Sequence, residues 1–177
     1  MRFVTEVPRT LVGGLGNPWL RDLDFGTQFI RRVAPLDWPE HALLEDLSYS
    51  AHRVLHTLQD LDPDRVVLVC GFPRDDEPGT VRHYELDLTP PPDDEVHERL
   101  SEAVGGIIDL DHTLAVVRYF GGFPAGTVIV EVEPADESFG LGFSSPVESA
   151  VPAVLDIVRD LVGAARVPAP EPLTEPL

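Results

Sequence analysis

Apolar positions along this chain follow two rhythms in turn, short near-continuous runs and stripes at helical spacing. Such alternation marks a sheet layered with helices. Thr10 to Leu15 is a short apolar run that predicts a first strand. Phe25, Phe29, Ile30 and Val33 then share one helical face, which ends near Pro35 because a proline ring excludes helical backbone just before it. "HALLEDL", 41–47, predicts a second strand, and Ala51, Val54, Leu55 and Leu58 predict a second helix. "DRVVLVCGF", 64–72, is apolar without alternation, as a strand covered on both faces must be. "EPGTVRHYEL", 77–86, reads as a turn and then an alternating strand at a sheet edge.

"LTPPPDDE", 88–95, predicts a surface loop, because successive prolines support neither helix nor ladder. A helix follows from about Asp109 to Tyr119, with Leu110, Leu114 and Val117 on one stripe, and "GTVIVEVEP", 126–134, is the last strand. The closing helix spans about Pro146 to Val162, its apolar face formed by Val147, Val151, Val154, Leu155, Val158 and Leu161. The preceding "SSP" offers a cap and a helix-initiating proline. The expected fold is a three-layer α/β sandwich with a twisted, mostly parallel sheet of about five strands and helices on both faces. One domain is expected over 1–166, with a Pro-rich, disordered tail over 167–177.

Charge narrows the partners. The formal net charge of the 177 residues is −18, and every one of the 13 basic residues is arginine. That field disfavours nucleic acid and anionic lipid. The absence of lysine excludes a Walker A loop and any Schiff-base mechanism. No apolar run matches a membrane span, the first residues lack a signal-peptide core, and Cys70 stands alone. A cytoplasmic protein is therefore expected.

The stretch "GGLGNPWLRDLDFG", 13–26, looks like a phosphate-binding turn between strand and helix, but Trp19 stands where the third glycine of a dinucleotide loop belongs. Its aspartates, Asp22 and Asp24, could bind a cation or face the dipole of the next helix; for Asp24 capping is the better account. His52 and His56 lie four apart on a helix, a metal-binding spacing, yet no HExxH glutamate accompanies them and a solvated face explains them more simply. Cys70 closes the central strand, where open α/β sheets place ligands, and His112 is the best available base for it. On chemistry alone, a small buried thiol at a strand end is the better account of Cys70. "FSSPV" lacks the glycines of a nucleophile elbow.

Four blocks in order, "LGNPWLRDLDFGTQFIRRV", "LEDLSYSAHRVLHTLQDLDPDRVVLVCGFPRDDEPGTVRHYEL", "IDLDHTLAVVRYFGGFP" and "VEVEPADESFGLGFSSPVESAVPAVLDIV", resemble the hydrogenase maturation endopeptidases. The resemblance runs from about Leu11 to Val162. It implies a peptidase that removes the C-terminal extension of a nickel-iron hydrogenase large subunit once nickel is inserted. It further implies a cleft in which a glutamate, an aspartate and a histidine read the nickel held by the precursor.

Carried over residue by residue, those three positions fall on Leu23, Cys70 and Gly106. The expected binding cleft comprises Asn17, Asp22, Leu23, Asp24, Cys70, Gly106 and His112, with its mouth at the carboxyl ends of the strands formed by the segments 18–25, 70–73 and 105–112. Three readings follow. The favoured one is a protein that binds the large-subunit precursor, or another assembly factor, without cleaving it; no cofactor stays bound, and nickel enters only with the substrate. The second is an active peptidase with a site rebuilt from Asp22 or Asp24, Cys70 and His112, a thiolate being a fitting soft ligand for nickel. The third is a small-molecule enzyme with Cys70 as nucleophile.

Overall fold

In a computed structural model, residues 7–106 and 108–163 are described. Five strands form one sheet in the order β2-β1-β3-β5-β4. They are β1 (Thr10–Gly14), β2 (Ala42–Asp46), β3 (Arg65–Gly71), β4 (Val81–Glu85) and β5 (Val128–Val132). The first four in that spatial order are parallel, and β4 closes one edge antiparallel to β5. The apolar run expected at the centre is indeed the central strand, β3, buried from Val66 onward.

Helices cover both faces, as expected. On one, α1 (Phe25–Val33) and α5 (Ser145–Gly163) pack Phe25, Phe29, Val147 and Val154 over Val67, Val69 and Val130. On the other, α2 (Ala51–Leu61) and α4 (Leu110–Tyr119) set Val54, Leu58, Leu110 and Val117 against Leu11, Leu68 and Ile129. Val151, Leu155 and Leu161 of the closing helix sit at the margin of the first core rather than inside it. Among the described residues no helix is long and apolar enough to cross a membrane.

One element departs from expectation. Asp93, Asp94 and Glu95, read as part of a loop, form the first turn of α3 (Asp93–Val104), with Pro92 at its N-cap. Three acids beside the positive end of a helix stabilise it, and Pro92 stands outside the helix, where its missing N–H costs nothing. Only Val96 of α3 is buried, so the helix carries little apolar stripe. The expected tail, 167–177, lies outside the described residues.

Candidate functional site

The loops at the carboxyl edge of the sheet converge over the end of β3. β1 and β5 flank β3, so the β1–α1 and β5–α5 loops can meet only by passing across it. They meet through a parallel bridge between Leu20 and Gly140. The Gly140 amide donates to the Trp19 carbonyl at 2.7 Å, and the Asp22 amide to the Asp136 carbonyl at 3.2 Å. The chain crosses so closely that a β-carbon on Gly71 would stand 2.1 Å from the Asp22 carbonyl oxygen.

Asp22, fully buried, is the clasp of this crossing. Its Oδ2 accepts from the amides of Ala135 at 2.9 Å and Asp136 at 2.8 Å and from the Ser144 hydroxyl at 2.6 Å; its Oδ1 accepts from the Ser144 amide at 2.8 Å. Four donors occupy the carboxylate, which ties it to the β5–α5 loop. The Ser144 hydroxyl, expected to cap the closing helix, is spent on Asp22 instead. Asp24 stands at the N-cap of α1, yet its side chain makes no capping hydrogen bond. One oxygen accepts from Gln28 Nε2 at 3.3 Å, and Oδ1 is buried without a hydrogen-bond partner. Burial raises its pKa. Asn17 closes the loop's neck, its amide donating to the Leu23 carbonyl at 3.0 Å. Leu23 itself is half-buried.

Cys70 faces the α2/α4 side, fully buried. Burial drives its thiol pKa far up, and Glu131, its cross-strand partner on β5, pushes in the same direction. His112 does not reach it: Nδ1 donates to the Arg99 carbonyl on α3 at 2.9 Å, a carbonyl being able only to accept. The base proposed for Cys70 is thus turned to a neighbouring helix. Gly106 lies exposed beyond α3 with a φ of 91°, and nothing lies within 4 Å of where its side chain would begin. The His52 and His56 rings lie with centroids 4.2 Å apart and planes tilted by 38° on the exposed face of α2.

The chemistry at the carboxyl edge belongs instead to residues outside the sequence reading. Glu131, 1% exposed, accepts from Arg74 Nη2 at 2.9 Å, from Arg74 Nε at 3.2 Å and from the Tyr84 hydroxyl at 2.6 Å. Buried Glu133 accepts from the Arg74 amide at 2.9 Å and from Arg82 Nη2 at 3.0 Å. Arg74 also faces Asp111 of α4 at 3.7 Å and lies over the Phe72 ring. Its hydrogen bonds to Glu131 hold the guanidinium charged; burial and the same carboxylate raise the Tyr84 pKa. The signal was present in "VIVEVEP": two glutamates on the same face of an otherwise apolar strand require buried cations.

The three positions that the resemblance assigns to metal ligands do not fit a metal ion. Leucine and glycine side chains carry no lone pair, and the third is a buried thiol held neutral. Among the described residues no group of three or more His, Cys, Asp or Glu side chains is placed to hold a metal. In particular, the structure does not gather Asp22, Asp24, Cys70 and His112 into one site.

Comparison with known proteins places this geometry. No protein-family model matches the chain. A candidate hydrogenase maturation protease of Methanocaldococcus jannaschii is 29% identical over 80 residues, 45% of this chain. The chain spans about half of that relative's length, 52%. The hydrogenase 2 maturation peptidase from a Thaumarchaeota archaeon superposes with a TM-score of 0.63 at 20% identity, over 88% of this chain and 98% of the other. The hydrogenase maturating endopeptidase HybD of E. coli gives 0.62 at 20% identity, over 85% and 89%. The hydrogenase maturation protease HycI of Thermococcus kodakarensis gives 0.60 at 14%, over 88% and 93%. The chain has the fold of the hydrogenase maturation endopeptidases.

Proposed function

We propose that this chain acts in hydrogenase maturation by binding a nickel-iron hydrogenase large-subunit precursor without hydrolysing it. One observation carries the reading: at the carboxyl edge, where the resemblance implies three ligands for the precursor's nickel, Glu131 holds the Arg74 guanidinium. A guanidinium is a donor with no lone pair to offer a metal and no proton to exchange near neutral pH. Neither Leu23 nor Gly106 can coordinate, and Cys70 is shut in as a neutral thiol. Nucleophilic catalysis fares no better, because the one nearby imidazole considered as a base is bonded to Arg99. What supports the binding half of the reading is the fold, which is that of solved hydrogenase maturation endopeptidases.

The test is to mix the purified chain with nickel-loaded precursor. Gel filtration then reads association, and intact mass spectrometry reads the C-terminal extension. A complex whose precursor keeps its full mass is expected. Loss of the extension would establish an active peptidase, and failure to associate would remove the binding role.

A further inference from the structure

The crossed loops present an apolar surface to solvent. Trp19, 52% exposed, stacks on Phe139, 77% exposed, with centroids 6.2 Å apart and planes 15° from parallel; Leu141 beside them is 65% exposed. Large aromatics seldom stand out this far on a surface that contacts only water. They are held rigidly: the Leu20–Gly140 bridge joins their backbones, and Arg21 Nη1 donates to the Leu141 carbonyl at 3.3 Å. Trp19 and Arg21 are both held at positive φ, 71° and 41°, conformations that cost free energy and persist where surrounding contacts impose them. The four hydrogen bonds to Asp22 supply that constraint.

Charge selects the occupant. Asp136 and Glu137 immediately precede the patch, and Asp75 and Glu77 are exposed on the β3–β4 loop at the same edge of the sheet. Of the cations nearby, Arg21 pairs with Asp136 and Arg74 and Arg82 are taken by Glu131 and Glu133. A second copy would bring another −18, and nucleic acid or anionic lipid would be repelled in the same way. We infer that the Trp19–Phe139–Leu141 surface docks a partner polypeptide through an apolar side chain flanked by arginine or lysine. Tryptophan at the centre of such a contact commonly dominates its affinity. This deepens the precursor-binding reading, on which it rests for the partner's identity.

The test uses the full chain, with a synthetic peptide whose Leu and Phe are flanked by arginines. Controls are the same peptide with flanking glutamates and the same peptide with alanines at the apolar positions. Calorimetry and tryptophan emission should show binding of the first peptide, a blue shift, weakening at high salt, and at least tenfold weaker binding of both controls. Phe139→Asp, at a side chain that makes no core contact, should weaken the first peptide at least tenfold. Equal binding of the three peptides, no binding of the first, or an unchanged Phe139→Asp variant would overturn the proposal. So would a blue shift produced by anionic vesicles or by concentrating the protein alone. The precursor itself separates the two ideas. If it binds wild type and Phe139→Asp alike, the docking surface fails while the precursor reading stands. If the peptide binds and the precursor does not, the surface stands and the precursor reading fails.

Discussion

Arg74 grips Glu131 with two nitrogens, Nη2 at 2.9 Å and Nε at 3.2 Å, while the carboxylate lies 1% exposed at the end of β5. A carboxylate so placed needs its cation more than the cation needs it. Arg74→Ala should therefore destabilise the fold by about 2 kcal/mol, less than a fully enclosed pair would lose because the Arg74 side chain is 35% exposed. Arg74→Met combined with Glu131→Gln should lose less than Arg74→Ala alone. Urea denaturation of the single and double variants measures the coupling; additive losses would show that the two groups act independently.

Asp22→Ala removes an acceptor for four donors and should cost about 3 kcal/mol, a fall of roughly 6–12 °C in Tm. Asp22→Asn should lose nearly as much, because its amide NH2 would face N–H donors. Thermal melts give the magnitude. Limited proteolysis should find a new cleavage near 135–144 in both variants, and an uncut loop would show that the bridge holds without the carboxylate.

Asp24 couples stability to pH in the unusual direction for an acid. Its folded pKa is raised, chiefly by burial, so between the ordinary 3.8 and that higher value the native state binds more protons than the unfolded one. Stability is lost as pH rises through this window and stays reduced above it. Asp24→Asn should thus gain about 1 kcal/mol at pH 7, with the gain fading below about pH 4, where both states of the wild-type carboxyl are protonated. Denaturation midpoints at several pH values report the difference.

Cys70 should resist iodoacetamide at pH 8 while folded and react promptly in urea. It is fully enclosed and its thiolate is disfavoured by burial and by Glu131. Mass spectrometry of the alkylated chain is the readout; fast native labelling would mean that the end of β3 opens to solvent.

Legibility from the amino acids followed the strength of each local signal. β3 was plain because an uninterrupted apolar run ending in Cys70 has few other uses, and α1 was plain because Phe25, Phe29, Ile30 and Val33 mark a single face. α3 was missed because Pro90, Pro91 and Pro92 dominate their neighbourhood. The acids that follow are a good helix start in isolation, but beside three prolines they read as more of the loop. Position along the chain placed Asp22 and Cys70 correctly at the sheet's carboxyl edge. It could not say what they touch. The partners of Asp22 are more than a hundred residues away, and the turning of His112 toward Arg99 depends on a helix that had not been foreseen. Glu131 stood out as an acid in an apolar strand, but nothing along the chain marked Arg74 as its partner until the sheet brought them together.

The Asp22–Ser144 clasp also fixes an order of events during synthesis. Strands β1 and β3 and helix α1 leave the ribosome long before Ser144 does, so the β1–α1 loop must wait, its aspartate short of two donors, until the 122 positions separating Asp22 from Ser144 have been made. Domains complete such distant contacts last. A nascent chain stopped short of residue 144 would carry all five strands but lack the Ser144 amide and hydroxyl that close the clasp on Asp22. Whatever this edge recognises, it can be recognised in finished form only once Ser144 has left the ribosome.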